Sequence, residues 1–228
     1  MEALMMNFLL CALLGYLIGS INPAYILGVL KGVDIREKGS GNAGASNVVI
    51  LFGKLRGALC AVVDIAKAYL VIRIAQILLP KYAFSFAVTS TACILGHIFP
   101  FYMHFRGGKG LACLGGVVLA YDWRVLLGML ALEIVILFVT DYLCFVPITA
   151  SFIFPAVYGC MAGDLLGALI LLVPALVMLY RHMENLCRIR QGTEMHISYL
   201  WNPDAEMKRI QSNLDEEPAA IEEHFCVK

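Results

Sequence analysis

Seven apolar runs divide this chain, at about residues 5–30, 57–79, 82–100, 111–123, 125–140, 144–160 and 164–181. About 20 apolar residues in a row are enough for a helix to cross the ~30 Å hydrocarbon core of a bilayer. Lipid offers backbone N–H and C=O groups no partner, so a crossing segment must satisfy them itself, as a helix does. The expected fold is an all-α integral membrane protein of about seven transmembrane helices. The balance of 61% hydrophobic to 15% charged residues is likewise far from that of a soluble globular domain. The fourth run stands apart, because about 13 residues make only ~20 Å of helix, too little to cross. It either begins below the membrane surface or is re-entrant, and both options draw the preceding turn, 107–110, into the protein.

The formal net charge is zero, but the charges are unevenly placed. Lys31, Arg36, Lys38, Lys54 and Arg56 lie after the first run, and Arg106 and Lys109 after the third. Arg181, Arg188, Arg190, Lys208, Arg209 and Lys228 follow the last, so thirteen of the 17 Lys and Arg residues fall in three regions. Seven spans put those regions on one side. The positive-inside bias makes that side cytosolic, with the N-terminus outside and the C-terminus in the cytosol. Basic residues gathered at span ends orient a membrane protein and do not indicate nucleic acid. The start, Met1-Glu2-Ala3, lacks the basic stretch of a secretory signal, so the first run is expected to remain as a span. It holds Gly15-x-x-x-Gly19, a spacing that lets helices pack closely in lipid. None of the eight cysteines has metal-site or redox spacing; they read as apolar packing residues, and no disulfide is expected.

Three polar segments carry the chemistry. In Gly107-Gly108-Lys109-Gly110, small residues expose N–H groups that can ring an anion, and Lys109 adds a positive charge. The run that follows places them at a helix N-terminus, where the dipole also favours an anion. The plainer reading is a flexible loop whose lysine meets lipid headgroups. The segment Lys38 to Asn47 contains G-x-G-x-x-G at Gly39, Gly41 and Gly44. It follows a membrane span and not the strand of a βαβ unit, so a dinucleotide site fails. What remains is a loop whose hydroxyl and amide groups, including Ser40, Asn42 and Asn47, can bond phosphate or polyol oxygens. On a helix continuing the last run, Arg181, Asn185 and Arg188 share a face with His182 one turn from Asn185. That stripe holds an anion or merely anchors the span.

Other polar residues are more ambiguous. His97, near a helix end, reads as a structural hydrogen-bonder. Asp64 and Lys67, spaced i and i+3 in the second run, can pair and offset their cost in lipid. Glu133 has no clear assignment. Thr149 and Ser151, near the cytosolic entry to the sixth run, can add hydroxyl contacts.

In this order, the segments resemble the acyl-phosphate:glycerol-3-phosphate acyltransferase family of bacterial membranes, often called PlsY. The resemblance runs from about residue 10 to 195. It rests on Gly39-Ser40-Gly41-Asn42-x-Gly44-Ala45-x-Asn47, on Gly96-His97-x-x-Pro100 with Phe105-x-Gly107-Gly108-Lys109-Gly110, and on Arg181-His182-x-x-Asn185-x-x-Arg188 with Gly192-Thr193-Glu194. It implies a multi-pass enzyme of the cell membrane with its active site at the cytosolic face. The implied reaction moves an acyl group from acyl phosphate to the 1-hydroxyl of sn-glycerol 3-phosphate, giving lysophosphatidate and phosphate, the first acylation of phospholipid synthesis. No cofactor, metal or acyl-CoA is implied. The partners are the two substrates and membrane lipid, with neither nucleic acid nor an obligate protein partner.

On this reading Lys109, Ser40, His182 and Asn185 are the catalytic candidates. Gly39, Gly41, Asn42, Gly44, Asn47, Gly107, Gly108, Gly110, Ser151, Arg188 and Glu194 are the phosphate- and substrate-binding candidates. Lys109 and the glycine N–H groups would hold one phosphate, while Ser40, His182 and Asn185 position the glycerol phosphate. A substrate phosphate oxygen would take the proton.

The chain departs from the family pattern at Ile50, where the family carries an arginine that is a substrate-phosphate ligand; Lys54 or Arg56 are the nearby substitutes. Ala68 stands for the family's glycine after the second-run lysine, and Arg106 for its lysine before Gly107. Residues 1–198 are expected to form one transmembrane acyltransferase domain. Residues 199–228 exceed the usual length and are expected to be a cytosolic C-terminal extension, whose acidic, helix-compatible run (Asp215, Glu216, Glu217, Glu222 and Glu223) reads as solvated or disordered. The departure at Ile50 keeps open a paralogue with another acceptor or weak activity. An organic-phosphate transporter is the remaining alternative, though no internal repeat supports it.

Overall fold

The computed structural model describes residues 2–200 and 202–215. The described residues form helices α1 (Glu2–Ser20), α2 (Pro23–Leu30), α3 (Ala45–Phe52), α4 (Lys54–Leu78), α5 (Ser85–Ile98), α6 (Leu111–Tyr121), α7 (Trp123–Thr140), α8 (Phe145–Ala162), α9 (Leu165–Arg190) and α10 (Pro203–Asp215). Single 3₁₀ turns lie at Phe101–Met103 and Ile197–Leu200, and no strand occurs among these residues.

The first apolar run is two helices and not one. Pro23 has no N–H and its ring clashes with the preceding turn, so α1 stops at Ser20 and α2 starts afresh. Asn22 caps the new start, its Oδ1 accepting from the Tyr25 N–H at 2.8 Å.

Among the described residues, five segments are long and apolar enough to cross a membrane: residues 2–30, 85–103, 123–140, 145–162 and 165–190. Helix α4 has the length, at 25 residues, but carries Asp64, Lys67 and Arg73. Helix α6, at 11 residues, is short, as its run predicts.

Helix α5 is the centre of the bundle, with all but two of its 14 residues buried. Small residues let α1 lie directly on it. A Cβ added at Gly15 would come within 2.5 Å of the Thr89 carbonyl, and one at Gly19 within 2.2 Å of that of Cys93. The Gly15-x-x-x-Gly19 spacing is thus realised as backbone-to-backbone contact. Phe86, Tyr121, Phe154 and Tyr158 form an aromatic cluster joining α5, α6 and α8, with Phe86 stacked on Tyr158. The outer face of α7 exposes Leu127, Leu130, Ile134, Phe138 and Val139, the polarity expected where lipid is the solvent.

One expectation changes. Cys11, Cys60, Cys93, Cys113 and Cys144 are free and buried, as packing residues should be, but Cys187 is disulfide-bonded. The extension is helical over Pro203–Asp215 and held by side-chain contacts. Glu216, Glu217, Glu222 and Glu223 lie outside the described residues.

Candidate active site

Past α5 the chain makes the 3₁₀ turn, passes through left-handed His104 and Phe105, and folds back onto the end of α5. There the Gly107 N–H donates to the Ile98 carbonyl at 2.9 Å and the Gly108 N–H to that of His97 at 3.2 Å. A Cβ on Gly107 would stand 2.1 Å from the His97 carbonyl oxygen, and one on Gly108 2.2 Å from the His97 ring. Only glycine permits this approach. The same bonds change the expected role of the turn, because two of its N–H groups are committed inside the protein. The donors left for an anion are those at the start of α6, which begins at Gly110 (φ 95°) with no side-chain cap.

Lys109 is half-buried and turned towards α9. Its Nζ donates to Asn185 Oδ1 at 2.5 Å. Asn185 Nδ2 donates to Glu194 Oε1 at 2.7 Å, and Glu194 Oε2 accepts from Arg188 Nε at 2.6 Å. Arg188 also pairs with Glu184 at 2.7 Å. The second and third motifs are therefore one network. Burial, joined by the nearby Arg188 charge, lowers the Lys109 pKa, and Glu184 and Glu194 oppose that shift.

His182 is buried one turn before Asn185 with Nδ1 2.7 Å from the Met178 carbonyl. A carbonyl only accepts, so in the neutral ring Nδ1 carries the hydrogen and Nε2 the lone pair. Arg181, beside it, has a buried Nε with no partner among the described residues. A buried orphan donor of this kind is costly unless something binds it.

The first motif meets the same turn from the other side. The Ala43 carbonyl accepts from Asn22 Nδ2 at 2.9 Å and lies 3.1 Å from where a Gly108 Cβ would be. Asn47, a substrate-binding candidate, instead fastens the loop. Its Nδ2 donates to the Ile35 and Lys38 carbonyls at 2.7 and 3.0 Å, and its Oδ1 accepts from the Ser40 N–H at 2.8 Å. Both of its N–H donors are used, so Asn47 shapes the site and has none left for substrate. Gly39 packs on that amide oxygen, and the Gly41 and Gly44 N–H groups donate to the Lys38 and Asn42 carbonyls. Ser40 is exposed at the loop tip, and Asn42 keeps a buried Oδ1 without a partner among the described residues.

Ser151 lies elsewhere. Its hydroxyl donates to the Ile148 carbonyl of its own helix at 2.8 Å, and it lines an apolar cleft with Ile94, Leu114, Phe154 and Met178. That cleft starts beside the turn, since a Gly110 Cβ would touch Ile94 and Met178 at 3.3 Å. Thr149 donates to Glu133 at 2.7 Å, giving that buried acid a partner.

Beneath the turn is a charged cluster that spacing reveals only in part. Lys67 and Asp64 pair at 2.7 Å, as their i,i+3 spacing predicts. His97, thirty residues on, joins them, with Nδ1 3.2 Å from Lys67 Nζ and 3.3 Å from Asp64. Lys67 Nζ also donates to the Ile21 carbonyl at the α1–α2 break. Asp64, His97 and Cys113 bring metal-type donor atoms within 4.8 Å of one another, but the Lys67 ammonium already neutralises the carboxylate. Arg36 is a further tie that the sequence reading passed over. It pairs with Asp34 at 2.6 Å and donates to the Met103 carbonyl at 2.7 Å, joining the first loop to the 3₁₀ turn.

A family model for glycerol-3-phosphate acyltransferase matches residues 9–192. The chain belongs to the glycerol-3-phosphate acyltransferase family. A family member from Thermotoga petrophila is 35% identical over 196 residues, covering 85% of this chain and 98% of the relative. One from Oceanobacillus iheyensis is 34% identical over 207 residues, covering 88% and 100%. The crystal structure of PlsY, an integral membrane glycerol 3-phosphate acyltransferase, in its glycerol 3-phosphate form superposes with a TM-score of 0.76. It is 32% identical and covers 86% of this chain and 98% of that one. The lysophosphatidic acid form gives 0.75 at 31% identity. This acyltransferase is thus a helical membrane protein of the PlsY type, and Ile50, where the resemblance implies an arginine, is exposed on α3. Of the two substitutes, Arg56 donates to the Phe52 carbonyl at the end of α3, and Lys54 opens α4.

Proposed function

We propose that this chain moves an acyl group from acyl phosphate to the 1-hydroxyl of sn-glycerol 3-phosphate. The observation that carries the reading is the Lys109–Asn185 bond, which joins two motifs into one cationic network beside an apolar cleft. Both substrates carry phosphate and one carries a long acyl chain, so the reaction needs these two surfaces side by side. Lys109, the open N–H groups at the start of α6 and the orphan Arg181 Nε would hold phosphate oxygens. Arg188 and Glu194 hold Asn185 in place. Ser40 and Asn42 face the acceptor from the first loop.

In the step itself the glycerol oxygen bonds to the acyl carbon and the carbon–oxygen bond to phosphate breaks. Acyl phosphate is already activated, so direct attack needs no enzyme nucleophile. His182 Nε2 accepts a hydrogen bond from the attacking hydroxyl, and the proton passes to an oxygen of the departing phosphate. Lys109 stabilises the charge that grows there. The site faces the cytosol in a seven-span arrangement with the N-terminus outside, in which α4 spans by pairing its charges internally. Residues 1–198 form the acyltransferase domain and 199–228 a cytosolic extension.

Purified protein in detergent, given acyl phosphate and a panel of acceptors, should release phosphate with glycerol 3-phosphate alone. Release with a different acceptor would favour the paralogue reading, which the exposed Ile50 supports.

A further inference from the structure

The family model stops at residue 192, yet the residues beyond it fold back onto the site network. Helix α9 ends at a left-handed Gly192 (φ 66°), where the Thr193 and Glu194 N–H groups both donate to the Arg188 carbonyl, at 2.8 and 3.1 Å. The carbonyls of this turn are bound from α10. Arg209 Nη1 donates to the Gly192 carbonyl at 2.5 Å, and its Nη2 to that of Glu194 at 2.7 Å. Asn213 Nδ2 donates to the Gly192 carbonyl as well, at 2.7 Å.

The guanidinium is itself fixed. Glu206, a buried acid one turn earlier, pairs with it at 2.6 Å and accepts from the His196 N–H at 2.8 Å. The connecting segment is tied to the α7–α8 corner. His196 Nε2 lies 2.8 Å from the Tyr142 hydroxyl, and the Ile197 N–H donates to the Asp141 carbonyl at 2.9 Å.

Glu194 therefore has its N–H held by α9 and its C=O held by α10, while its carboxylate bridges Asn185 and Arg188. Each of those two partners has a further link, Asn185 to Lys109 and Arg188 to Glu184. A surface glutamate in a glycine turn has many rotamers, and fixing its backbone from both sides removes much of that freedom. We propose that Arg209, on a helix outside the family model, is a positioning residue for the phosphate site. It pins the Gly192–Glu194 turn so that Glu194 orients Asn185 and, through it, Lys109. The proposal rests on the proposed acyltransferase reading for its ligand, glycerol 3-phosphate.

The test is glycerol 3-phosphate binding to the purified full-length protein by calorimetry, alongside steady-state acyl transfer and thermal unfolding. Arg209→Ala should weaken binding and raise KM for glycerol 3-phosphate at least about tenfold, the scale of one lost charge-assisted hydrogen bond. Its kcat should stay within about twofold, since no reacting group is touched. Arg209→Lys, which keeps the charge but cannot bridge two carbonyls and Glu206, should fall between. Asn213→Ala, which removes one ligand of the Gly192 carbonyl, should weaken binding less than Arg209→Ala. Unchanged affinity in Arg209→Ala, or a loss confined to kcat and melting temperature, would overturn the proposal. Wild-type binding without acyl transfer would overturn the acyltransferase reading alone. If the wild type binds no glycerol 3-phosphate, both fall.

Discussion

Lys109 Nζ and Asn185 Oδ1 lie 2.5 Å apart although 76 residues separate them in the chain. The contact links the glycine turn to the last long helix and turns the half-buried lysine towards α9. Asn185 is an uncharged partner, so Lys109 keeps its full charge for an anion.

Lys109→Met should keep the side-chain length and lose the cation. We expect kcat/KM for acyl transfer to drop about 10²-fold or more, the usual cost of removing a donor aimed at developing charge. Near-normal transfer by the purified variant would show that the site does not depend on this residue.

Activity should fall at alkaline pH earlier than an ordinary lysine would dictate. Burial and Arg188 lower the Lys109 pKa, so as pH rises the ammonium is lost below the usual lysine range of about 10.4. Glu194 acts in the opposite sense, so Glu194→Gln should move the alkaline limb of the pH–rate profile further down. A limb that stayed put or moved up would contradict this.

Asp64→Asn leaves Lys67 as a buried cation without its counter-ion. Breaking a buried pair in this way costs about 3–5 kcal/mol, so thermal unfolding in detergent should show a large loss of stability. The cluster touches both the α1–α2 break and the base of the glycine turn, so the surviving folded fraction should also lose activity. A wild-type melting temperature would rule out the charge balance assigned to these three residues.

Gly107→Ala and Gly108→Ala should differ. At Gly107 the added methyl meets fixed backbone, the His97 and Ile98 carbonyls, which cannot move without unwinding the end of α5. At Gly108 its nearest obstacle is the His97 ring, a side chain that can shift at the expense of its contacts with Asp64 and Lys67. We expect Gly107→Ala to be inactive or unfolded and Gly108→Ala to retain partial activity, read by transfer rate per folded protein.

Ile50→Arg restores the residue the family pattern carries. Position 50 is 63% exposed, so a guanidinium there needs no desolvation. A charge-assisted phosphate contact of ~2 kcal/mol would lower KM for glycerol 3-phosphate about thirtyfold. No change in KM would mean that another group, such as Lys54, already serves the phosphate.

Much of this protein is legible along the chain because lipid is a harsh solvent. The length of each apolar run, the shortness of α6 and the Asp64–Lys67 pairing follow from local rules of helix rise and helix face. The Pro23 break is equally local, and the two helices it makes remain one apolar segment, 2–30, long enough to cross. The roles of particular polar atoms were less legible. Asn47 and Asn42 are the same residue type in the same motif, but one spends its amide on the backbone and the other keeps a buried oxygen unpartnered among the described residues. Ser151 looked like a polar contact and proved to line an apolar cleft. Nothing local in residues 203–215 indicates that Glu206 is held by both Arg209 and His196.

By itself the sequence determined a helical membrane protein, the three motif-bearing connections and the lysine among the glycines. Only the tertiary structure decided which N–H groups remain open, that Lys109 answers to Asn185, and that α10 reaches Glu194. The physical reason is range. Helix formation and span length depend on neighbours a few residues away, whereas hydrogen-bond partners across 17, 76 or 83 residues depend on how the helices pack.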